Sequence, residues 1–164
     1  MRIFLVGFMG AGKSAIGRRL AKRLGYPYFD TDHMIEEQQE KTIKEIFQDE
    51  GEAFFRKLET ESLKSFEKLT NSVVSTGGGL VATEGNWEII KAMGDSVFLD
   101  ADFEDIKERV MRNDKRPLLQ TEDPLKTLTD LYKTRRPIYE KADIIIQTGG
   151  SHPADIITQI IRSL

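Results

Sequence analysis

A three-layer α/β fold, one parallel sheet with helices on both faces, is what this chain predicts, and three observations carry the prediction. Short apolar runs alternate with stretches of helical period along the chain, and parallel strands joined by right-handed crossovers place helices on both faces of a sheet. The first run, Ile3-Phe4-Leu5-Val6, passes directly into the glycine-rich Gly7-Phe8-Met9-Gly10-Ala11-Gly12-Lys13-Ser14 and then into a helix. At 164 residues the chain is long enough for a substantial core and too short for two large domains, so 1–164 is read as one domain.

The elements follow in order. The first helix spans about 13–24, with Ile16, Leu20 and Leu24 on one face and Gly25 as its stop. Tyr28-Phe29 is a short strand that ends in Asp30-Thr31-Asp32, where a parallel strand meets the next helix and open α/β sheets bind their ligands. Thr42 and Glu45 form a capping box, Gly51 interrupts, and a longer helix covers about 52–69. Ser72 to Ser75 is a strand that leads into Gly77-Gly78-Gly79. Three successive glycines lose much chain entropy on folding, which favours a place where backbone approaches a ligand too closely for a side chain. A helix at 84–93, a strand at 96–100 and a helix begun by Asp102 come next. The segment 113–124 is polar and aperiodic, and reads as a mobile loop over the site. A helix through Leu125, Leu128 and Tyr132, a strand at 143–146 and a closing helix around Ile156 and Ile160 complete the chain.

Composition narrows the function. A net charge of −3 and a pI near 5.5 argue against a nucleic-acid or membrane-surface protein. There is no cysteine, so neither disulfides nor thiolate metal sites arise. A strand directly after Met1-Arg2 leaves no room for a signal peptide ahead of it, and no apolar run reaches membrane-spanning length, which predicts a cytoplasmic protein.

The glycine-rich stretch is a P-loop: its backbone N–H groups and the helix dipole suit phosphate oxygens, Lys13 reaches the terminal phosphates, and the Ser14 hydroxyl suits Mg²⁺. The fold class is therefore the P-loop nucleoside-phosphate-kinase kind. No Asn-Lys-x-Asp guanine signature occurs, which leaves a small-molecule kinase or a nucleotide-binding module without catalysis. The arginines discriminate further, because a guanidinium fork grips carboxylate or phosphate with two parallel hydrogen bonds. Arg56 has Glu52 and Glu59 at helical spacing, so a surface ion pair competes with a ligand role. Arg135 has no acid three or four residues away and looks to a ligand, whereas Arg136 has Glu140 at i+4 and reads as structural. Arg116 precedes a proline that holds it extended.

Taken together, the P-loop, Asp30-Thr31-Asp32, Gly51-Glu52 with Phe55-Arg56, Gly77-Gly78-Gly79, Arg116-Pro117-Leu118-Leu119, and Leu131-Tyr132 followed by Arg135, Pro137 and Tyr139 resemble the shikimate kinase family over essentially the whole chain. The resemblance implies a five-stranded parallel sheet of order 2-3-1-4-5 and ATP-dependent phosphorylation of the 3-hydroxyl of shikimate in aromatic amino-acid synthesis. It implies ATP contacts at Gly10, Ala11, Gly12, Lys13, Ser14, Ala15, Arg109, Arg116 and Pro153, and one Mg²⁺ held by Ser14 and Asp30. Shikimate would meet Asp32, Arg56, Gly77, Gly78, Gly79 and Arg135 within a site that draws on a helical segment at about 31–62. Lys13, Asp32 and Arg116 would be catalytic, Asp32 as proton acceptor, with 113–124 as a lid. ATP and shikimate are the implied partners, with no nucleic acid or membrane and a monomeric chain. Gluconate kinase, which shares fold and P-loop, and a non-catalytic nucleotide module are the competing readings.

Overall fold

The structure is a computed structural model of the chain and describes residues 1–113 and 116–164. Strand β1 (Arg2–Val6) leads into helix α1 (Lys13–Leu24), and strand β2 (Tyr28–Asp30) into three consecutive helices, α2 (Thr31–Gln39), α3 (Ile43–Glu50) and α4 (Glu52–Ser65). The remainder alternates: β3 (Ser72–Ser75), α5 (Asn86–Met93), β4 (Asp95–Asp100), α6 (Phe103–Asn113), α7 (Pro124–Tyr139), β5 (Ile144–Gln147) and α8 (Pro153–Ser163). The five strands are all parallel, in the order β2-β3-β1-β4-β5.

The period-2 alternation of each strand sorts side chains onto two faces. Ile3, Leu5, Val73, Val97 and Leu99 point to one, where Ile16 and Leu20 of α1 and Ile156 and Ile160 of α8 cover them. Phe4, Val6, Val74 and Phe98 point to the other, against Leu63 of α4, Ile90 of α5, Ile106 of α6 and Leu128 of α7. A third, smaller cluster of Ile35, Ile46, Phe55 and Leu58 holds α2, α3 and α4 together as an appendage beside the sheet. That appendage gives the predicted helical segment 31–62 its own core, although α4 continues to Ser65.

Three boundaries differ from expectation for identifiable reasons. The helix expected to reach residue 69 ends at Ser65 and becomes a 3₁₀ turn, Phe66–Lys68. There the Arg2 guanidinium donates to the carbonyls of Glu67 (2.7 Å), Leu69 (2.5 Å) and Met93 (2.9 Å), supplying partners for helix-terminal carbonyls. The helix expected from 84 starts at Asn86, whose buried side chain donates to Leu80 O at 2.8 Å and stabilises a separate 3₁₀ turn, Leu80–Ala82. The segment 113–124, expected to be aperiodic, contains a 3₁₀ turn at Pro117–Leu119 with Leu119 buried in the main core, and its end belongs to α7, capped by Asp123. Residues 114 and 115 lie outside the described residues.

Arg136 is structural, as its helical pairing suggested, but its main partner lies far away in sequence. Its guanidinium forks onto Asp100 at the end of β4, with Nη2 2.7 Å from Oδ2, while Nε faces Glu140 at 3.2 Å. Gln147 at the end of β5 donates to the same Asp100 oxygen at 2.7 Å. The buried carboxylate thus ties α7 to two strands. Replacing Asp100 by Asn should lower stability by about 1 to 3 kcal/mol, the range for hydrogen bonds to charged groups, as read by urea denaturation. Unchanged stability would show that the clasp contributes nothing net.

Candidate active site

The carboxyl ends of β1, β2 and β3 and the helices that follow them enclose the site. Gly10 and Gly12 adopt φ of 76° and 89°, a left-handed backbone that lets the loop after β1 turn tightly before α1 begins. The Lys13 ammonium lies across this loop, donating to Gly7 O at 2.7 Å and Phe8 O at 2.8 Å. Burial, and then the charge of Arg116, lower its pKa to about 8. Ser14 Oγ donates to Asp30 Oδ2 at 2.8 Å, while Asp30 Oδ1 caps α2 through the N–H groups of Asp32 (3.1 Å) and His33 (3.3 Å). Asp30 is thereby locked with one oxygen beside the serine hydroxyl. A hydroxyl and a carboxylate at this spacing are hard oxygen donors, and they fit a small divalent cation that takes its other ligands from phosphate and water. Among the described residues no cluster of three or more His, Cys, Asp or Glu could hold a metal ion.

Next to the loop is a cavity of about 530 Å³, a size suited to a small-molecule ligand. Asp32, Arg56, Arg135 and Arg116 line it together with the three glycines and Arg109. Asp32 has one buried oxygen, Oδ1, without a hydrogen-bond partner among the described residues. Burial, and then the neighbouring Asp30, raise its pKa to about 6, against the pull of Lys13 and Arg116. Arg135 is 7% exposed, a buried guanidinium at the cavity wall. Arg116 is exposed at its position before the 3₁₀ turn, yet its charge acts on both Lys13 and Asp32. Arg109 donates to Gly10 O at 3.0 Å and so stands at the mouth of the loop. Pro153 opens α8 as its first residue and, like the P-loop residues Gly10 to Ala15 and Asp30, is not on the cavity wall.

The glycine run has a double reason. A Cβ on Gly77 would stand 2.6 Å from Asp32 Oδ1 and 2.9 Å from Glu59 Oε2, and one on Gly79 would stand 2.5 Å from Arg56 Nη1. The groups that forbid side chains here are therefore the protein's own charged residues as well as any ligand. Thr31 Oγ1, fully buried, accepts from Gly77 N–H at 3.0 Å and ties the run to the start of α2.

Glu59 decides the question that helical spacing left open for Arg56. Its pairing with Arg56 is real, Nη1 to Oε1 at 2.6 Å, and Glu52 adds a second contact at 3.2 Å. The pair is not on the surface: Glu59 is 1% exposed and its Oε2 is unpartnered among the described residues. Burial raises its pKa to about 7 even though Arg56 opposes the shift. The helical i, i+3 spacing was a signal for the pair; the depth of that helix face was not readable from one sequence. Phe47 and Phe55, ring centroids 5.0 Å apart, wall the cavity on the α3 side.

A phosphate-binding loop with its lysine and serine, set beside a separate cavity that combines arginine forks with a raised aspartate, defines an ATP-dependent kinase acting on a small anionic molecule. The family model for shikimate kinase matches residues 9–164. The chain is 42% identical over 164 residues to the shikimate kinase of Aquifex aeolicus, covering all of this chain and 96% of that protein. It is 43% identical over 159 residues to that of Persephonella marina, covering 97% and 96%. Among solved structures, the Acinetobacter baumannii shikimate kinase in complex with shikimate aligns with a TM-score of 0.93 at 40% identity over 98% of this chain and 90% of that one. A deoxyadenosine kinase from M. mycoides shares the fold alone, at 15% identity and a TM-score of 0.64. The chain belongs to the shikimate kinase family, and its activity is the ATP-dependent phosphorylation of shikimate that serves aromatic amino-acid biosynthesis. The family implies a divalent metal that accompanies ATP. Among the described residues no helix is long and apolar enough to cross a membrane.

The two raised carboxylates make stability depend on pH. Between the ordinary carboxylate range and pH 7 the folded ligand-free protein holds protons on Asp32 and Glu59 that the unfolded chain releases, so stability falls as pH rises through that window. Glu59→Gln should flatten this fall by about 3 kcal/mol, at roughly 1.36 kcal/mol per pKa unit. Denaturation series at pH 4.5 to 7.5 on both proteins measure it. Identical slopes would mean that Glu59 titrates normally.

Proposed function

We propose that the enzyme transfers the γ-phosphoryl group of ATP to the 3-hydroxyl of shikimate, with Asp32 accepting the hydroxyl proton. The observation that carries this reading is the buried, unpartnered Asp32 Oδ1 in the same cavity as Arg56 and Arg135 and within electrostatic reach of Lys13. A hydroxylated acid needs both kinds of group: guanidinium forks for its carboxylate and an acceptor for its hydroxyl. With a pKa of about 6, Asp32 is mostly ionised at neutral pH and still close enough to it to take a proton.

In the assigned roles, the N–H groups of Gly10, Ala11, Gly12, Ser14 and Ala15 cradle the phosphates, and Arg109 and Pro153 border the adenine. Arg56, Arg135 and the backbone of Gly77, Gly78 and Gly79 hold shikimate. Ser14 and Asp30 hold Mg²⁺, which when bound offsets phosphate charge. Lys13 and Arg116 meet the charge that develops on the transferred group. Phosphoryl transfer has a loose transition state, so positioning and charge neutralisation supply most of the rate. The segment 113–124 serves as the lid, anchored at one point by buried Leu119 and carrying Arg116 at the cavity wall. A lid that closes over both substrates protects ATP from hydrolysis. A monomeric chain and a cytoplasmic setting belong to the same reading.

A coupled ATP-consumption assay with shikimate and gluconate side by side tests the reading. Turnover is expected with shikimate and not with gluconate, and carbon-coupled ³¹P NMR of the product should place the phosphate on C3. Asp32→Asn should lower kcat by roughly 10²- to 10⁴-fold, the usual contribution of a general base, with affinity for a non-hydrolysable ATP analogue retained. Loss of analogue binding instead would place Asp32 at the nucleotide and overturn its assignment.

A further inference from the structure

Tyr139 closes α7 and is 1% exposed, yet its phenol is not simply packed. The hydroxyl donates to Gly78 O at 2.5 Å, a contact that joins α7 to the glycine run sixty-one residues earlier. The Arg135 guanidinium, one helical turn back on the same face of α7, acts on the same hydroxyl. Arginine can only donate, and a phenol has a single proton. With that proton committed to Gly78, the hydroxyl can meet Arg135 only as an acceptor. Burial pushes the phenol well above its ordinary pKa, which keeps the proton in place. The ring is held against Phe98 at 5.4 Å between centroids, and Trp87 Nε1 donates to the neighbouring Ile138 O at 2.9 Å, so the end of α7 has little freedom.

We propose that Tyr139 is a positioning residue for shikimate, its hydroxyl joining Arg135 and the Gly78–Gly79 peptide into one rigid receptor for the substrate carboxylate. The inference rests on the reading that this cavity takes shikimate. Two consequences follow from the chemistry. A phenol orients the guanidinium without neutralising it, so the full charge of Arg135 is left for the incoming carboxylate. That contrasts with Arg56, whose charge is shared with Glu59 and Glu52. The bond to Gly78 C=O also polarises the peptide whose N–H belongs to Gly79, a residue of the cavity wall, and makes that N–H a stronger donor.

The test uses the full chain and Tyr139→Phe, which removes one oxygen atom. Wild type is assayed first with shikimate; no turnover there would count against the functional reading, separately from this inference. Given wild-type turnover, Tyr139→Phe should raise the KM for shikimate by roughly ten- to a hundredfold, the range for a lost hydrogen bond to a charged group. The KM for ATP should stay within about twofold, and so should the inhibition constant of the analogue in which an alcohol replaces the carboxylate, because the hydroxyl is assigned to carboxylate recognition alone. These constants do not depend on the fraction of enzyme that is active, so partial misfolding cannot imitate the pattern. An unchanged KM for shikimate, or equal losses for ATP, shikimate and the alcohol, would overturn the proposal.

Discussion

Two carboxylates and one guanidinium crowd against three consecutive glycine peptides at the carboxyl edge of the sheet, with a second guanidinium, Arg135, on the same cavity wall. Asp32 and Glu59 occupy the space a side chain at Gly77 would need, and Arg56 the space at Gly79. The crowding is possible only because the run has no side chains, and it forces the charges into a region with little water. There each charge is expensive to hold, so burial moves the groups toward their neutral forms, against the mutual pull of Lys13 and Asp32: Asp32 and Glu59 rise, Lys13 falls, and all three end within about two units of neutrality. Groups of that kind are suited to exchanging protons and meeting newly arrived charge at physiological pH.

The fold exists, in functional terms, to bring separate segments to this run. Parallel strands β1 and β3 are neighbours, so the loop after β1 and the glycine run after β3 emerge side by side. Strand β2 lies beyond β3 and delivers Asp30 and Asp32 from the other side. The α2–α4 appendage contributes Arg56 and Glu59, with its own small core keeping α4 in register. Helix α7 brings Arg135, and the Asp100–Arg136 clasp fixes that helix to β4. Nucleotide and acceptor thus meet at one edge of a single sheet although their ligands come from five stretches of chain.

Local chemistry made much of this legible in the sequence. The P-loop, the capping box at Thr42 and Glu45 and the strand runs are defined by residues next to one another, and all appear where expected. Arg136 was separable from Arg135 because helical spacing gave one an acid partner and the other none. What stayed hidden was long-range: Arg2 ending two helices, Asp100 as the true partner of Arg136, and Tyr139 reaching Gly78. The depth of Glu59 stayed open because a helical ion pair has the same spacing on a wet face as on a dry one. The segment 113–124 looked structureless because its polar composition hides the single buried anchor, Leu119.

The central claim is that the glycine run is shaped around the charged groups that recognise shikimate. Calorimetric titration of shikimate into Gly79→Ala measures it most directly, because the added methyl would lie 2.5 Å from Arg56 Nη1, the movable end of a flexible side chain, so the fold should survive while the guanidinium is displaced. The account predicts a loss of shikimate affinity of at least roughly tenfold, equivalent to about 1.4 kcal/mol, with affinity for a non-hydrolysable ATP analogue unchanged. Shikimate affinity equal to wild type in a folded variant would contradict it.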